Sequence, residues 1–154
     1  MHAISQSAVW IKEPSADVGV VIVTSAELPK YMIDALHVAI DDWDQVAYLA
    51  IKHSEALMAD WLRGGSSPEQ SAGGYACYAS QLLRSVPHGS FLLDVEIGTV
   101  PGLAWLGSVH GHPLRVVELG TIALSTAAMD QQVEQVLSAT RSLAKSVLQA
   151  RGVI

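Results

Sequence analysis

Phe91-Leu92-Leu93-Asp94-Val95-Glu96-Ile97 is the stretch on which the fold turns. Before it, from Pro29 to Val86, apolar residues recur mostly at helical spacing. Here they alternate, with Phe91, Leu93, Val95 and Ile97 to one side and Leu92, Asp94 and Glu96 to the other, the period of a half-buried strand. Val100-Pro101-Gly102-Leu103 follows, with Pro and Gly at the central positions of a type II turn. Residues 103–110 and 114–119 then read as two more strands, joined by the turn His110-Gly111-His112-Pro113, with 120–124 as an extension. The pattern predicts an antiparallel meander of three to four strands over 91–119, in which Val100 faces Leu103 and Glu96 faces Gly107.

Outward from the meander, Val18–Val23 is β-branched and almost continuously apolar, as in a central strand buried on both faces. Pro29 suits a first helical turn, and Tyr31, Met32, Ala35, Leu36, Ala39 and Ile40 place a helix over 29–41. Asp42-Trp43-Asp44-Gln45 resembles a capping box, and Trp43, Val46, Ala47, Ala50, Leu57, Met58 and Trp61 then predict one helix over 43–63, ended by Gly64-Gly65. Ser67-Pro68-Glu69-Gln70 starts a further helix over 68–86, unless Gly73-Gly74 delays it to Tyr75. Ser125 or Thr126 caps a helix over 128–150, whose stripe is Met129, Val133, Val136, Leu143, Ala144 and Val147. That stripe packs on the Phe91/Leu93/Val95/Ile97 face. The expected class is α+β, ordered β-α-α-α-β-β-β-α, in a single globular domain over 1–154, with 1–16 as an N-terminal arm and 64–74 as a flexible connector.

The chain has 154 residues, half of them apolar and 16% charged, with a mean hydropathy of +0.31. That excludes a disordered chain and suffices for a core without disulfides or metal staples. A net charge of −6 and a pI near 5.4 argue against nucleic-acid or anionic-membrane binding. One cysteine forbids an intrachain disulfide and fits a reducing cytoplasm. No basic segment precedes an apolar run at the start of the chain, and Val18–Val23 is far too short to span a bilayer.

Candidate site residues come from the outer face of the expected meander. Asp94, Glu96 and Glu118 share that face with Trp105, Val109 and Val116. Three carboxylates among an indole and two valines suit a shallow aromatic–acidic site for a cationic group, or a surface for a second subunit. His110 and His112, with His88, Asp94 or Glu96 as a further ligand, form a weaker metal candidate, because they lie in a turn. Asp34, His37 and Asp41 read as a solvated helix face, and Cys77 as a buried structural thiol.

The reading that follows is a non-catalytic, self-associating binding module, most simply a homodimer, without a cofactor and without nucleic-acid or membrane partners. Two alternatives stand beside it. One is a small acid/base or metal-assisted enzyme using the His110/His112 turn with the neighbouring carboxylates. The other is a small-molecule sensor or carrier with a Trp-lined cavity.

Overall fold

The computed structural model describes residues 4–64, 77–98 and 102–152. Its centre is a five-stranded mixed sheet built from β1 (Ala8–Lys12), β2 (Val20–Ser25), β3 (Val46–Ile51), β4 (Phe91–Ile97) and β5 (Leu114–Gly120), in the order β1-β3-β2-β4-β5. β2 pairs in parallel with both β3 and β4, β4 pairs in parallel with β5, and β1 alone runs antiparallel, along β3. The described helices are α1 (Lys30–Ile40), α2 (Ser54–Gly64), α3 (Tyr78–Leu83), α4 (Gly107–His110) and α5 (Thr126–Ala150), with short 3-10 turns at Ile4–Gln6 and Ala104–Leu106.

The sequence pattern explains the centre of the sheet. β2 is the middle strand, and Val20, Val21, Ile22 and Val23 are buried on both faces. α1 and α5 cover one face, where Met32, Leu36, Ile40, Val133, Val136 and Leu137 meet Val20, Ile22, Leu93 and Val95. α2, α3 and the 103–106 segment cover the other, where Leu57, Ala79, Leu82, Leu83, Leu103 and Leu106 meet Val21, Val23, Leu49 and Leu92. The amphipathic C-terminal helix thus lies on the alternating face of β4, as its stripe requires. Ser125 caps it, its Oγ accepting from the Ala128 N–H at 3.2 Å. At the far end Arg151 donates to the Asp17 and Val18 carbonyls at 3.1 and 3.0 Å, tying the helix to the entrance of β2. Gly19 permits this approach, since a Cβ there would stand 3.0 Å from Val147 Cγ1.

The α+β reading holds for the mixed sheet and its long C-terminal helix. The antiparallel meander does not. β4 and β5 are parallel, and 103–110 is a 3-10 turn followed by α4 instead of a strand. Parallel neighbours need a crossover of about a dozen residues, and the segment from Gly98 to Pro113 supplies it. Gly111, at φ 78°, ends α4 where the sequence suggested a hairpin turn. The helix expected over 43–63 is also divided: residues 46–51 form β3, buried along its whole length, and only 54–64 are helical. The expected N-terminal arm contributes β1 at the edge of the sheet. The type II turn at 100–103 and the 64–74 connector lie largely outside the described residues, as does the start of the helix expected over 68–86; its described part is α3, which begins at Tyr78 after Cys77.

Candidate functional site

Four parallel strands point their carboxyl ends to one edge of the sheet. β2 leads into α1 on one face, whereas β4 leads to the 103–106 turn on the other. Neighbouring connections that leave toward opposite faces open a crevice between them, and in mostly parallel sheets ligands bind at such a point.

Asp94 sits beside this point. It pairs with Val23 of β2 and Val116 of β5, and it points to the α2/α3 side. It is 1% exposed, and neither carboxyl oxygen has a hydrogen-bond partner. Burial pushes its pKa up to about 7, and the charge of Glu96 pushes the same way. The Leu103 backbone amide offsets part of this shift without completing a hydrogen bond of ordinary geometry.

Two residues along β4, Glu96 is the direct neighbour of Glu118 on β5. β5 carries an extra residue just after this pair, so that Ile97 aligns with Gly120. Both strands then turn on left-handed glycines, Gly98 at φ 50° and Gly120 at φ 67°, and the Gly98 N–H donates to the Gly120 carbonyl at 2.7 Å. Glu96, Gly98, Glu118 and Gly120 line a groove of about 240 Å³. Gly102 closes over Glu96 so tightly that a Cβ there would collide with Glu96 Oε1.

Three of the four residues read as a binding face from the sequence, Asp94, Glu96 and Glu118, therefore gather at the carboxyl edge. The fourth does not join them on the sheet. Trp105 belongs to the 3-10 turn and stacks on Trp61 of α2, with ring centroids 5.2 Å apart.

The histidine turn lies at the opposite edge, before β5 begins. From Leu114 to Glu118 the strand rises about 13 Å, which separates the turn from the Glu96/Glu118 groove. His88, His110 and His112 do cluster, at centroid distances of 5.8 Å (His88 to His112) and 6.2 Å (His110 to His112). Two of them are held by backbone carbonyls: His110 Nε2 donates to Ser80 O at 3.0 Å and His112 Nε2 to Val86 O at 2.9 Å. Burial holds the His112 pKa below its usual value, and the neighbouring histidines add to the effect. Among the described residues, no three His, Cys, Asp or Glu side chains are placed to hold a metal ion.

A larger groove, about 580 Å³, lies at the other edge, between the 42–46 loop and α5, and includes Trp43, Asp42, Asp44, Arg141 and Lys145. Its walls are internally bonded. Lys12 Nζ donates to the Ile40 and Trp43 carbonyls, and Arg141 pairs with Glu134 while lying 5.9 Å from the Trp43 ring centroid. None of the buried unpartnered atoms belongs to it, whereas Asp94, which carries two of them, lies two residues along β4 from Glu96 of the smaller groove. On α1, Asp34 is exposed and paired with Lys30 at 2.7 Å, in keeping with a solvated face. Cys77 is buried and caps α3, its Sγ accepting from the Ser80 N–H.

Comparison of the sequence with protein-family models and with curated proteins finds no match. No described helix is long and apolar enough to cross a membrane.

Proposed function

We propose that the chain is a non-catalytic binding domain that takes a small, positively charged molecule at the carboxyl edge of β4 and β5, with Asp94, Glu96 and Glu118 as the recognising acids. The observation that carries this reading is Asp94, a buried carboxyl whose two oxygens are unpartnered. Such a group costs several kcal/mol when charged and unpaired, and it is retained where a ligand or a reaction uses it. Binding is favoured over catalysis because the reactive side chains on this side of the sheet are otherwise engaged: Cys77 caps a helix, and His110 and His112 bond to carbonyl groups. The distance from the histidine turn to the groove removes support from the acid/base alternative.

The test is a titration of the isotope-labelled chain with methylguanidinium, ethylammonium and magnesium chlorides, followed by amide NMR shifts. The expected footprint covers residues 94–98, Leu103 and 118–120, and is lost in Asp94→Asn. Shifts that are absent there at millimolar concentrations, or that persist in the variant, overturn the reading.

A second reading rests on β5. It closes one side of the sheet, and its Val116 is 45% exposed. An open edge strand with an apolar side chain favours pairing with a second copy about a two-fold axis. Sedimentation at high protein concentration tests this, and a single monomeric mass overturns it. The lone buried thiol further supports a reducing, cytoplasmic setting.

A further inference from the structure

The groove between the 42–46 loop and α5 lies at the amino edge of the sheet, where β3 begins. Val46 opens β3 and aligns through Val20 with Phe91, five residues before Glu96 on β4, so roughly 16 Å separates this end from the acids of the carboxyl edge. Both walls are held in place. On one side Lys12 Nζ donates to the Ile40 and Trp43 carbonyls, Ser15 Oγ donates to the Asp44 carbonyl at 2.7 Å, and the Val46 N–H donates to the Trp43 carbonyl at 3.0 Å. These bonds fix the backbone that carries the half-buried Trp43. On the other side Arg141, Ala144, Lys145 and Leu148 stand at i, i+3, i+4 and i+7 and so share one stripe of α5. Ala144, the smallest of the four, sits inside the stripe and leaves room for a hollow of about 580 Å³. That is the size of a site for a small organic molecule.

The charges on the two walls are opposite in sign and do not meet. Asp42 and Asp44 stand on the loop, Arg141 and Lys145 on the helix. Arg141 is engaged at the rim, paired with Glu134 of its own helix and 5.9 Å from the Trp43 ring centroid. The side chains of Lys145, Asp42 and Asp44, all exposed, have no hydrogen bond or ion pair among the described residues. Trp43, Val46, Ala144 and Leu148 supply an apolar lining to the same hollow. A cation alone would leave Lys145 unserved there, and an anion alone would leave the two acids unserved. A molecule that carries both charges, with an apolar body between them, serves every part.

We propose that this groove is a second binding site, for a small zwitterion with an amine and a carboxylate at opposite ends of a flat apolar body. The ammonium faces Asp42 and Asp44, the carboxylate faces Lys145, and the body lies against Trp43 and Ala144. The site stands apart from the carboxyl-edge acids and does not depend on what they bind.

Titration of the isotope-labelled full chain with 4-(aminomethyl)benzoate, benzylammonium chloride and sodium 4-methylbenzoate tests this, followed by amide and indole NMR shifts. The zwitterion is expected to give saturable shifts at the Trp43 indole N–H and at amides of 42–46 and 141–148. It should bind about tenfold more tightly than either half-charged probe, since each of those lacks one charge-assisted contact. Lys145→Gln should weaken the zwitterion about tenfold and leave benzylammonium no weaker. Asp42→Asn combined with Asp44→Asn should weaken the zwitterion as much and leave 4-methylbenzoate no weaker. The comparison of the three probes on the wild type needs no variant, so it stands even if a substitution disturbs folding. No saturable shift at this groove with millimolar zwitterion overturns the site. A half-charged probe that binds as tightly as the zwitterion overturns the choice of ligand, and so does a zwitterion affinity that neither variant moves. Shifts confined to 94–98 and 118–120 overturn this site and leave the carboxyl-edge reading standing.

Discussion

The two faces of the sheet differ in their buried polar groups. Under α1 and α5, Tyr48 OH and Thr24 Oγ1 are hydrogen-bonded at 2.8 Å, and Thr140 Oγ1 donates to the Val136 carbonyl at 2.8 Å. Under α2, α3 and the 103–106 turn, Asp94 Oδ1 and Oδ2 and His112 Nδ1 are buried without a partner. Satisfied buried groups stiffen and specify a core, whereas unsatisfied ones cost free energy. Both faces are packed, but the second, beside an Asp60 Oδ2 that accepts from the Tyr78 N–H at 2.8 Å, also carries groups whose protonation is poised to change.

The largest expected effect lies on the satisfied face. Val147 is 4% exposed and rests against Gly19. Val147→Asp would bury an unpaired carboxylate there, costing roughly 3–5 kcal/mol out of a total stability of about 5–15. Loss of the cooperative melting transition in circular dichroism is expected. A wild-type melt would mean that this face tolerates charge as the other does, and the contrast would fail.

Next comes Asp94→Asn, with the opposite sign. The folded pKa of Asp94, about 7, stands above its unfolded value of about 3.9. Its protonation therefore stabilises the fold fully below pH 4, and that stabilisation is lost as pH rises through 7. The variant should match the wild type near pH 4 and exceed it at pH 8 by about 2–4 kcal/mol. Urea unfolding at the two pH values reads the difference. Equal stabilities at pH 8 would mean that Asp94 is ionised there without strain, and the face would hold no poised acid.

Tyr48→Phe sharpens the contrast from the other side. Burial, opposed in part by the bond with Thr24, pushes the Tyr48 hydroxyl up to about 12, so it stays neutral throughout ordinary pH. Its removal leaves Thr24 without its partner and should cost about 1 kcal/mol, equally at pH 5 and pH 8. A cost that changed over this interval would show a titrating group on the satisfied face.

How much of this the sequence displayed depended on whether one period could be distinguished from another. β2 and α1 were legible because a β-branched run and a clean four-residue stripe admit few alternatives. β3 was not. In Val46-Ala47-Tyr48-Leu49-Ala50-Ile51 every residue is apolar, so a helical stripe could be drawn through it from Trp43 to Leu57. The strand direction of β5 was hidden too, because alternation looks the same in parallel and antiparallel pairs. For that reason the acids survived the error in topology. Asp94 and Glu96 share a face by spacing alone, and Glu118 took the place beside Glu96 that the hairpin reading gave to Gly107. Trp105 was assigned to the sheet on the assumption that 103–110 is a strand, and it left the group when that segment proved to be a turn and a short helix.

The smallest expected effect concerns His112, the other poised group. Its folded pKa is lowered by burial, with the charges of His110 and His88 adding to the shift and the Val86 and Pro87 carbonyls opposing it. A base with a depressed pKa contributes stability that is present above its unfolded value of about 6.5 and is lost as pH falls through the folded value. This slope is opposite to that of Asp94, so where the two overlap, on the acid side of neutrality, the wild type should change stability less than either group alone would demand. His112→Gln keeps an N–H for the Val86 carbonyl, which His112 Nε2 now serves at 2.9 Å, and removes the titration. At pH 7.5 the substitution should cost less than about 1 kcal/mol. Below pH 6 the variant should lose less stability than the wild type on further acidification, and Asp94→Asn should lose more, since its compensating acid is gone. Urea unfolding of the two variants from pH 7.5 to 4.5 measures both slopes. If they run parallel to the wild type, the unpartnered atoms on this face do not titrate with folding, and what separates the two faces is packing alone.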